Sequence, residues 1–292
     1  KENIPGMTRQ KWIEKTFVTE KNIEIKIFDY LESEFPNTSE SSRNVSKIWS
    51  DKFKELFPDY DLVITSEAYG YYVASFMNIK HIAFDIPKKI FPISASAVRK
   101  DLFANWNFLP DSVKPYFVIK VIVLGTESTG KTILTERLAK HFNCSSLNET
   151  AREIIDNSNS FEFDDLHLVA IEHANRINNA TIGKSPLIII DTDIHITKSY
   201  ANFIFDKTLN VENKIYNANK ADLYLYLTNN VDYVQDGTRL SEIDRNLLDI
   251  SHRNILQQHN IDITEITGSW EQRFDKAVTI IKRLKENVKI RA

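Results

Sequence analysis

The sequence has little cysteine and no long apolar run. Cys144 is the one cysteine among 292 residues, which excludes an internal disulfide framework and a multi-cysteine metal site and is typical of a reducing compartment. No apolar stretch approaches the roughly 18 to 20 residues that span a bilayer, and residues 1–10 lack the apolar core of a signal peptide. We therefore expect a cytoplasmic protein with no membrane partner.

An excess of basic charge is also absent. The chain has 37 Lys and Arg against 40 Asp and Glu, a formal net charge of -3, so it lacks the basic surface that nucleic-acid binding needs. Hydrophobic residues make up 42% of the chain and charged residues 26%, which is typical of a folded globular protein. The length is comfortable for two domains.

Apolar patterns alternate between strand and helix, which predicts an α/β fold with a parallel sheet. The strands predicted in the second half are 121–124, 187–190, 223–228 and 261–266. The first half is predicted to hold strands 23–28, 61–65 and 81–85 and a helix over 44–57. A short connector with two prolines, 107–115, separates the halves, so the predicted domains are 1–118 and 119–292.

Glycine is scarce, and two of the seven glycines carry the strongest motif. Gly125 and Gly130 lie five apart after a β-branched run and before a helical stripe, within a GxxxxGKT phosphate loop. In such a loop backbone N–H groups surround the phosphates, Lys131 reaches the β- and γ-oxygens and the Thr132 hydroxyl binds Mg²⁺. The alternative is a chance match in a strand-to-helix turn. The predicted ATP-binding residues are Gly125, Glu127, Ser128, Thr129, Gly130, Lys131 and Thr132.

Carboxylates elsewhere in the second half are candidates for the metal and for the reacting hydroxyl. Asp191 ends a predicted strand and is the candidate metal ligand together with Thr132. Asp193 lies two residues on and is expected to point the same way, unless it caps the helix that begins near His195. Either Glu149 or Asp193 could orient the hydroxyl or take its proton, and the sequence does not choose between them.

Candidate cations complete the predicted catalytic set. Arg152 lies three residues after Glu149, so the two share a helix face; a surface ion pair is the alternative. Arg239 follows an Asp-Gly turn and could close over the phosphates as part of a flap, or be a solvated loop charge. Lys131 belongs to the same catalytic set. His173 lies on an apolar helix stripe, which favours a hydrogen-bonded core histidine.

Five segments of the second half together resemble one family. They are 125–132, Glu-Thr-Ala-Arg-Glu at 149–153, Ile-Asp-Thr-Asp at 190–193, 229–239 and Ser-Trp-Glu-Gln-Arg at 269–273. The chain thereby resembles the bifunctional NadR family, in which a nicotinamide mononucleotide adenylyltransferase domain is fused to a ribosylnicotinamide kinase domain. The resemblance implies transfer of the γ-phosphate of ATP, with Mg²⁺, to nicotinamide riboside, which gives nicotinamide mononucleotide. A cationic pyridinium ring suits a pocket with aromatic faces and carboxylates, so Asp164, Asp165 and Tyr200 are candidate substrate residues by their type, and Arg152 is added to them as a cation.

The first half carries a second part of the resemblance. Residues 92–99, Pro-Ile-Ser-Ala-Ser-Ala-Val-Arg, resemble the ISxTxxR phosphate-binding signature of nucleotidyltransferases, so Ser94, Ser96 and Arg99 are implied to meet ATP phosphates. Trp49 lies where the resembled family has an aromatic side chain that could stack on the nicotinamide ring; the alternative is a half-buried helical tryptophan. The family's first strand and its GxFxPxHxGH segment are not in this sequence. We therefore expect a truncated Rossmann-like nucleotidyltransferase domain with impaired adenylyl transfer.

Other functions remain open at this level. The same phosphate loop could serve a kinase of another nucleoside. The chain could also be an ATP- or NAD-binding sensor, or its first half a regulatory NAD-binding module. A GTPase-type switch is disfavoured, because its NKxD motif has no match better than Asn-Asn-Val-Asp at 229–232. The expected partners are the small molecules ATP, nicotinamide riboside and nicotinamide mononucleotide, with no nucleic acid; the oligomeric state is not predicted.

Overall fold

The chain folds into two compact units, Lys1–Lys100 and Asp101–Ala292. The computed structural model describes residues 4–31, 33–38, 41–155, 161–231, 233 and 240–291. No helix in these described ranges is both long enough and apolar enough to cross a membrane.

The first unit is a small α/β layer built on two parallel strands. Its helices are α1 (Gly6–Thr16), α2 (Arg43–Leu56), α3 (Tyr69–Met77) and α4 (Ala95–Lys100), and its strands are β1 (Leu62–Thr65) and β2 (Lys80–Ala83). β1 and β2 pair in parallel, with Val63 opposite His81. Helix α2 begins where the side chain of Ser42 accepts a hydrogen bond from the Val45 N–H.

The strand predicted over 23–28 is wrong. That segment alternates apolar and charged residues as a strand does, but it is irregular and pairs with no strand among the described residues. Ile23 and Ile27 are exposed, while the ring of Phe28 packs edge-on against Trp49 of α2. Period-2 alternation stabilises a strand only where a neighbouring strand supplies hydrogen bonds.

The second unit is a five-stranded parallel sheet covered by helices, which confirms the predicted α/β class. The strands are β3 (Ile119–Leu124), β4 (Ser145–Leu147), β5 (Leu187–Asp191), β6 (Leu223–Leu227) and β7 (Ile263–Ile266). Its helices are a 3₁₀ turn (Trp106–Phe108), α5 (Lys114–Phe117), α6 (Lys131–Phe142), α7 (Ala151–Ile154), α8 (Phe163–Thr181), α9 (Ile194–Phe205), α10 (Asn213–Ala218), α11 (Glu242–Gln258) and α12 (Trp270–Arg291).

The strand order β4-β5-β3-β6-β7 determines where a ligand can bind. The chain leaves the central strand β3 toward one edge and later returns to build the other edge, so the order reverses beside β3. In doubly wound sheets the crevice outside the carboxyl ends of the strands at such a point is the ligand site. The core strands β3 and β5 are nearly all Val, Ile and Leu because both of their faces are buried.

Residues 101–118, which include the predicted connector, are part of the second unit. Trp106 is almost fully buried beside Ile122, and its indole N–H donates to the Gly183 carbonyl at 2.9 Å. The Lys114 ammonium donates to the Ile182 carbonyl at 3.3 Å. The compact second unit therefore starts at Asp101, whereas the predicted second domain starts at residue 119.

Candidate active site

The phosphate loop joins β3 to α6 at the carboxyl edge of the sheet. Gly125 has φ +139° and Gly130 has φ +86°, conformations that side chains other than hydrogen rarely allow. A Cβ atom at Gly125 would lie 2.7 Å from the Leu227 carbonyl oxygen, and one at Gly130 would lie 2.2 Å from the Trp270 ring. Both glycines are therefore required by backbone conformation and by close packing.

A hydroxyl and a carboxylate meet directly beside this loop. Thr132 Oγ1, in the first turn of α6, donates to Asp191 Oδ2 at 2.6 Å. Asp191 is buried at the end of β5, and burial raises the pKa of its carboxyl group, whereas the nearby Lys131 lowers it. These are two oxygen ligands of the kind that Mg²⁺ prefers, and a cation would compensate the buried carboxylate. The residues thus fit the predicted metal. Within the described ranges no group of three or more His, Cys, Asp and Glu side chains could hold a metal ion.

Glu149 and Arg152 face the same site. Arg152 Nε donates to Glu149 Oε2 at 3.1 Å, in the segment between β4 and α7. Burial alone would lower the pKa of Arg152, but the carboxylates of Glu149, Asp191 and Glu127 raise it. The Glu149 side chain is 16% exposed and that of Arg152 is 58% exposed. The ion pair that the sequence left as the alternative is present, and it lies close enough to Asp191 for the two charges to interact.

Glu127 connects the phosphate loop to two other elements. Its Oε1 accepts a hydrogen bond from the Tyr200 hydroxyl on α9 at 3.3 Å, and its Oε2 accepts one from the Leu240 N–H at 3.0 Å. Burial raises the pKa of Tyr200 well above its ordinary value, and the charges of Glu127 and Glu149 add to this effect. Tyr200 is therefore a neutral hydroxyl within the same cluster.

The Asp193 side chain caps the N-terminus of α9. Its Oδ1 accepts hydrogen bonds from the His195 and Ile196 N–H groups at 3.0 and 3.3 Å, and its Oδ2 accepts one from His195 Nδ1 at 2.5 Å. Both oxygens of this buried carboxylate are thus used, and the helix-cap alternative describes its geometry. Asp165 has a similar task, because its carboxylate accepts the Glu162 N–H in the capping box of α8.

Four further predicted residues belong to the first unit. Ser94 Oγ accepts the Ala97 N–H at 3.1 Å at the start of α4, and Ser96 and Arg99 are exposed on that helix. Trp49 donates its indole N–H to the Pro36 carbonyl at 3.1 Å. Its ring lies in an aromatic cluster with Phe28, Tyr30, Phe35 and Phe53. Arg239 lies outside the described residues.

His173 is a hydrogen-bonded core histidine, as predicted. Its Nε2 donates to the Thr192 carbonyl at 3.2 Å, and its Nδ1 accepts from the Thr150 hydroxyl at 2.9 Å. Burial lowers its pKa, so the ring is neutral at pH 7. It connects the residue after Glu149 to the residue after Asp191.

Two residues at the start of α12 also touch the loop, and the sequence assigned no role to either. Trp270 packs on Gly130, and Arg273 donates to the Thr129 carbonyl at 3.2 Å. The signal for them was the segment 269–273, which is one of the five segments that carry the family resemblance.

These features define a phosphate-loop nucleotide-binding protein. Residues 120–273, more than half of the chain, match the model of a family described as an AAA domain, and the chain belongs to that family.

The NadR resemblance is confirmed as well. The chain is 27% identical over 290 residues to the trifunctional NAD biosynthesis/regulator protein NadR of Escherichia coli (strain K12), covering 94% of this chain and 69% of that protein. It is 26% identical, with the same coverage, to its counterpart in Salmonella typhimurium (strain LT2). Two solved structures share the fold at 18% identity. A NadR protein in complex with NR has a TM-score of 0.65 over 96% of this chain and 83% of that one. A NadR protein in complex with NAD and AMP-PNP has a TM-score of 0.60 over 94% and 80%.

Proposed function

We propose that the second unit is an ATP-dependent kinase of NAD biosynthesis that phosphorylates nicotinamide riboside to nicotinamide mononucleotide. The observation that carries this proposal is the meeting of Lys131, Thr132 and Asp191 with Glu149 and Arg152 at the carboxyl edge of the sheet. This arrangement combines a phosphate-binding side with a carboxylate and a cation on the facing side, as transfer to an alcohol requires.

The reaction forms one bond and breaks one. The 5′-hydroxyl oxygen of the riboside attacks the γ-phosphorus, the bond from that phosphorus to the β–γ bridging oxygen breaks, and ADP leaves. Thr132 and Asp191 would hold Mg²⁺, which neutralises charge on the phosphates when it is bound. Lys131 stabilises the transferred oxygens, and the predicted role of Arg239 is to add a second positive charge there.

We assign the hydroxyl proton to Glu149 rather than Asp193. Both oxygens of Asp193 accept hydrogen bonds from α9 and His195. Glu149 Oε2 accepts one from Arg152 Nε, and the side chain remains partly exposed at the mouth of the cluster. Asp193 already accepts three hydrogen bonds and its side chain is fully buried, so it supports the site by holding α9.

The acceptor is assigned from the relatives and from site chemistry. A NadR protein has been solved with NR bound, and a cationic pyridinium suits an aromatic ring and carboxylates such as Tyr200, Glu127 and Glu149. Arg152 is proposed as a substrate contact. Asp165 is also a predicted substrate residue, although its carboxylate is occupied as a helix cap.

The first unit is proposed to be adenylyltransferase-like. Its support is the similarity to NadR across 94% of the chain and the placement of Ser94, Ser96 and Arg99 on one short segment. Contact of these residues with ATP phosphates, and of Trp49 with a nicotinamide ring, stay predictions.

A coupled assay of ADP release tests the kinase. The purified chain is supplied with ATP, Mg²⁺ and one of nicotinamide riboside, adenosine, uridine, thymidine or no acceptor. The proposal expects ADP release that depends on nicotinamide riboside, with the mononucleotide found by mass spectrometry. Release that depends on another nucleoside would identify a different kinase. Hydrolysis without an acceptor, or none with any, would favour a nucleotide sensor.

Amide variants test the proton assignment. Glu149→Gln is expected to lower kcat by about 10² to 10⁴ with little change in the Kd for ATP. Asp193→Asn keeps an oxygen to cap α9 but puts an NH₂ group where Oδ2 accepts from the buried His195 Nδ1, so it is expected to lower the free energy of unfolding by about 1 to 2 kcal/mol. Its kcat should fall less than that of Glu149→Gln. The opposite order of the two kcat values would overturn the assignment, and unchanged turnover in both would remove both residues.

A further inference from the structure

Arg273 on α12 is almost completely buried beneath the phosphate loop, with an exposed fraction of 1%. Its Nε donates to the Gly268 carbonyl at 2.9 Å, and its Nη1 donates to the Thr129 carbonyl at 3.2 Å. Its Nη2 donates to the Thr228 carbonyl at 3.2 Å and to Asn230 Oδ1 at 2.8 Å. One guanidinium therefore joins the start of α12, the phosphate loop and the end of β6.

All of these acceptors are neutral. No carboxylate in the described part of the chain forms an ion pair with Arg273, and its other close contact is the Trp270 ring, whose centroid is 5.6 Å from the guanidinium carbon. Arginine stays protonated in proteins, and burying a charge is costly unless an opposite charge or strong hydrogen bonds compensate it. An anion in the phosphate loop would supply the missing opposite charge.

The contact with Thr129 acts on the part of the loop that faces phosphate. In a trans peptide the carbonyl of Thr129 and the N–H of Gly130 point in opposite directions. A positive charge on that carbonyl polarises the peptide and makes the Gly130 N–H a stronger donor. Trp270 packs on Gly130 at the place where a Cβ would lie, so α12 supports two consecutive loop residues.

We propose that Arg273 is a positioning residue that sets the affinity of the phosphate loop for the polyphosphate group of a nucleoside triphosphate. It does so through its buried charge and through the Thr129–Gly130 peptide, without touching the ligand. This inference rests on the nucleotide binding of the proposed function and does not depend on which nucleoside is the acceptor.

The test measures binding rather than turnover. The Kd values of ATP and of inorganic tripolyphosphate are determined by calorimetry for the whole chain and for Arg273→Met, Arg273→Lys and Arg283→Met. Arg283 is an exposed arginine on the same helix and serves as the matched control. Thermal melting confirms that each variant is folded at the binding temperature.

Arg273→Met is expected to weaken both ligands by the same factor, about 10- to 100-fold, because the lost interaction acts on phosphates alone. Arg273→Lys keeps the positive charge but loses the several N–H donors of the planar guanidinium, so a smaller loss of affinity, about 3- to 10-fold, is expected. Arg283→Met should bind as the parent chain does. If Arg273→Met does not fold, the test uses Arg273→Lys alone, and an equal loss of affinity for ATP and tripolyphosphate in that variant supports the inference.

Two results would overturn the inference: unchanged affinity in the folded Arg273 variants, or a loss for ATP that tripolyphosphate does not share. A parent chain that binds both ligands but phosphorylates no nucleoside would refute the kinase proposal and leave this one standing. A parent chain that binds neither ligand would refute both.

Discussion

The buried histidine of α11, His252, predicts a specific loss of stability in acid. Its ring is fully buried; Nδ1 donates to Ser199 Oγ at 2.8 Å, because the Ser199 hydroxyl itself donates to Ser251. Nε2 has no hydrogen-bond partner in the described structure. Burial lowers the pKa of His252 to about 3, and the charge of Lys131 adds to that shift.

The sign and size of the effect follow from this pKa. The unfolded chain binds a proton near pH 6.5, whereas folded His252 does not until about pH 3. The contribution to stability is therefore fully present above pH 6.5 and is lost as the pH falls toward 3. At pH 5 the solution is about 1.5 pH units below the pKa of the unfolded histidine and well above that of folded His252. Protonation therefore stabilises the unfolded state alone, by about 2 kcal/mol.

Urea unfolding of the parent chain and of His252→Leu, followed by circular dichroism at pH 7 and pH 5, measures this contribution. The comparison is the change between the two pH values within each protein, so a different stability of the variant at pH 7 does not matter. Other titrating groups, including His173, are present in both proteins and cancel. The parent chain should lose about 2 kcal/mol more than the variant. Equal losses would refute the argument that His252 stays neutral in the folded state.

Further substitutions test the loop and the connector. Gly130→Ala should weaken ATP binding at least about tenfold in calorimetry, because a Cβ at φ +86° would overlap the Trp270 ring; wild-type affinity would contradict the close packing. Trp106→Ala should lower the free energy of unfolding by about 3 to 5 kcal/mol in urea, because it removes a buried ring and its bond to Gly183. A loss below about 1 kcal/mol would show that Trp106 does not belong to the core of the second unit.

The second unit was predictable because its local signals agree with its tertiary structure. The runs that form β3 and β5 are buried on both faces and flank the phosphate loop. The sequence Ser-x-x-Gln at 269–272 is typical of a capping box, and the Ser269 N–H does donate to Gln272 Oε1 at the start of α12. The failure at 23–28 has the opposite cause. Its alternation satisfies the local pattern of a strand, but a strand also needs a partner from distant sequence.

The sequence predicted which residues form the candidate site better than it predicted the role of each one. Lys131, Thr132 and Asp191 belong to one motif and one neighbouring strand, so their meeting follows from the parallel sheet. The role of Arg273 could not be predicted from such local patterns. Its acceptors at Thr129 and Thr228 are more than forty residues away, and a surface arginine would have the same helical spacing. Which side chain fills the space beneath the loop is decided by packing that no local pattern encodes.

Asp191 and Asp193, at the end of β5, have different partners because of the backbone conformation of the one residue between them. Side chains two apart on a strand point the same way, but β5 ends at Asp191, and Thr192 takes a left-handed φ of +73°. The Thr192 N–H donates to the Val123 carbonyl, and its own carbonyl accepts from His173. A β-branched residue is held in a costly conformation there because neighbours on both sides fix its peptide groups. The turn directs Asp191 to the Thr132 hydroxyl and Asp193 to the N-terminus of α9, so the two carboxylates, although two residues apart, bind different partners.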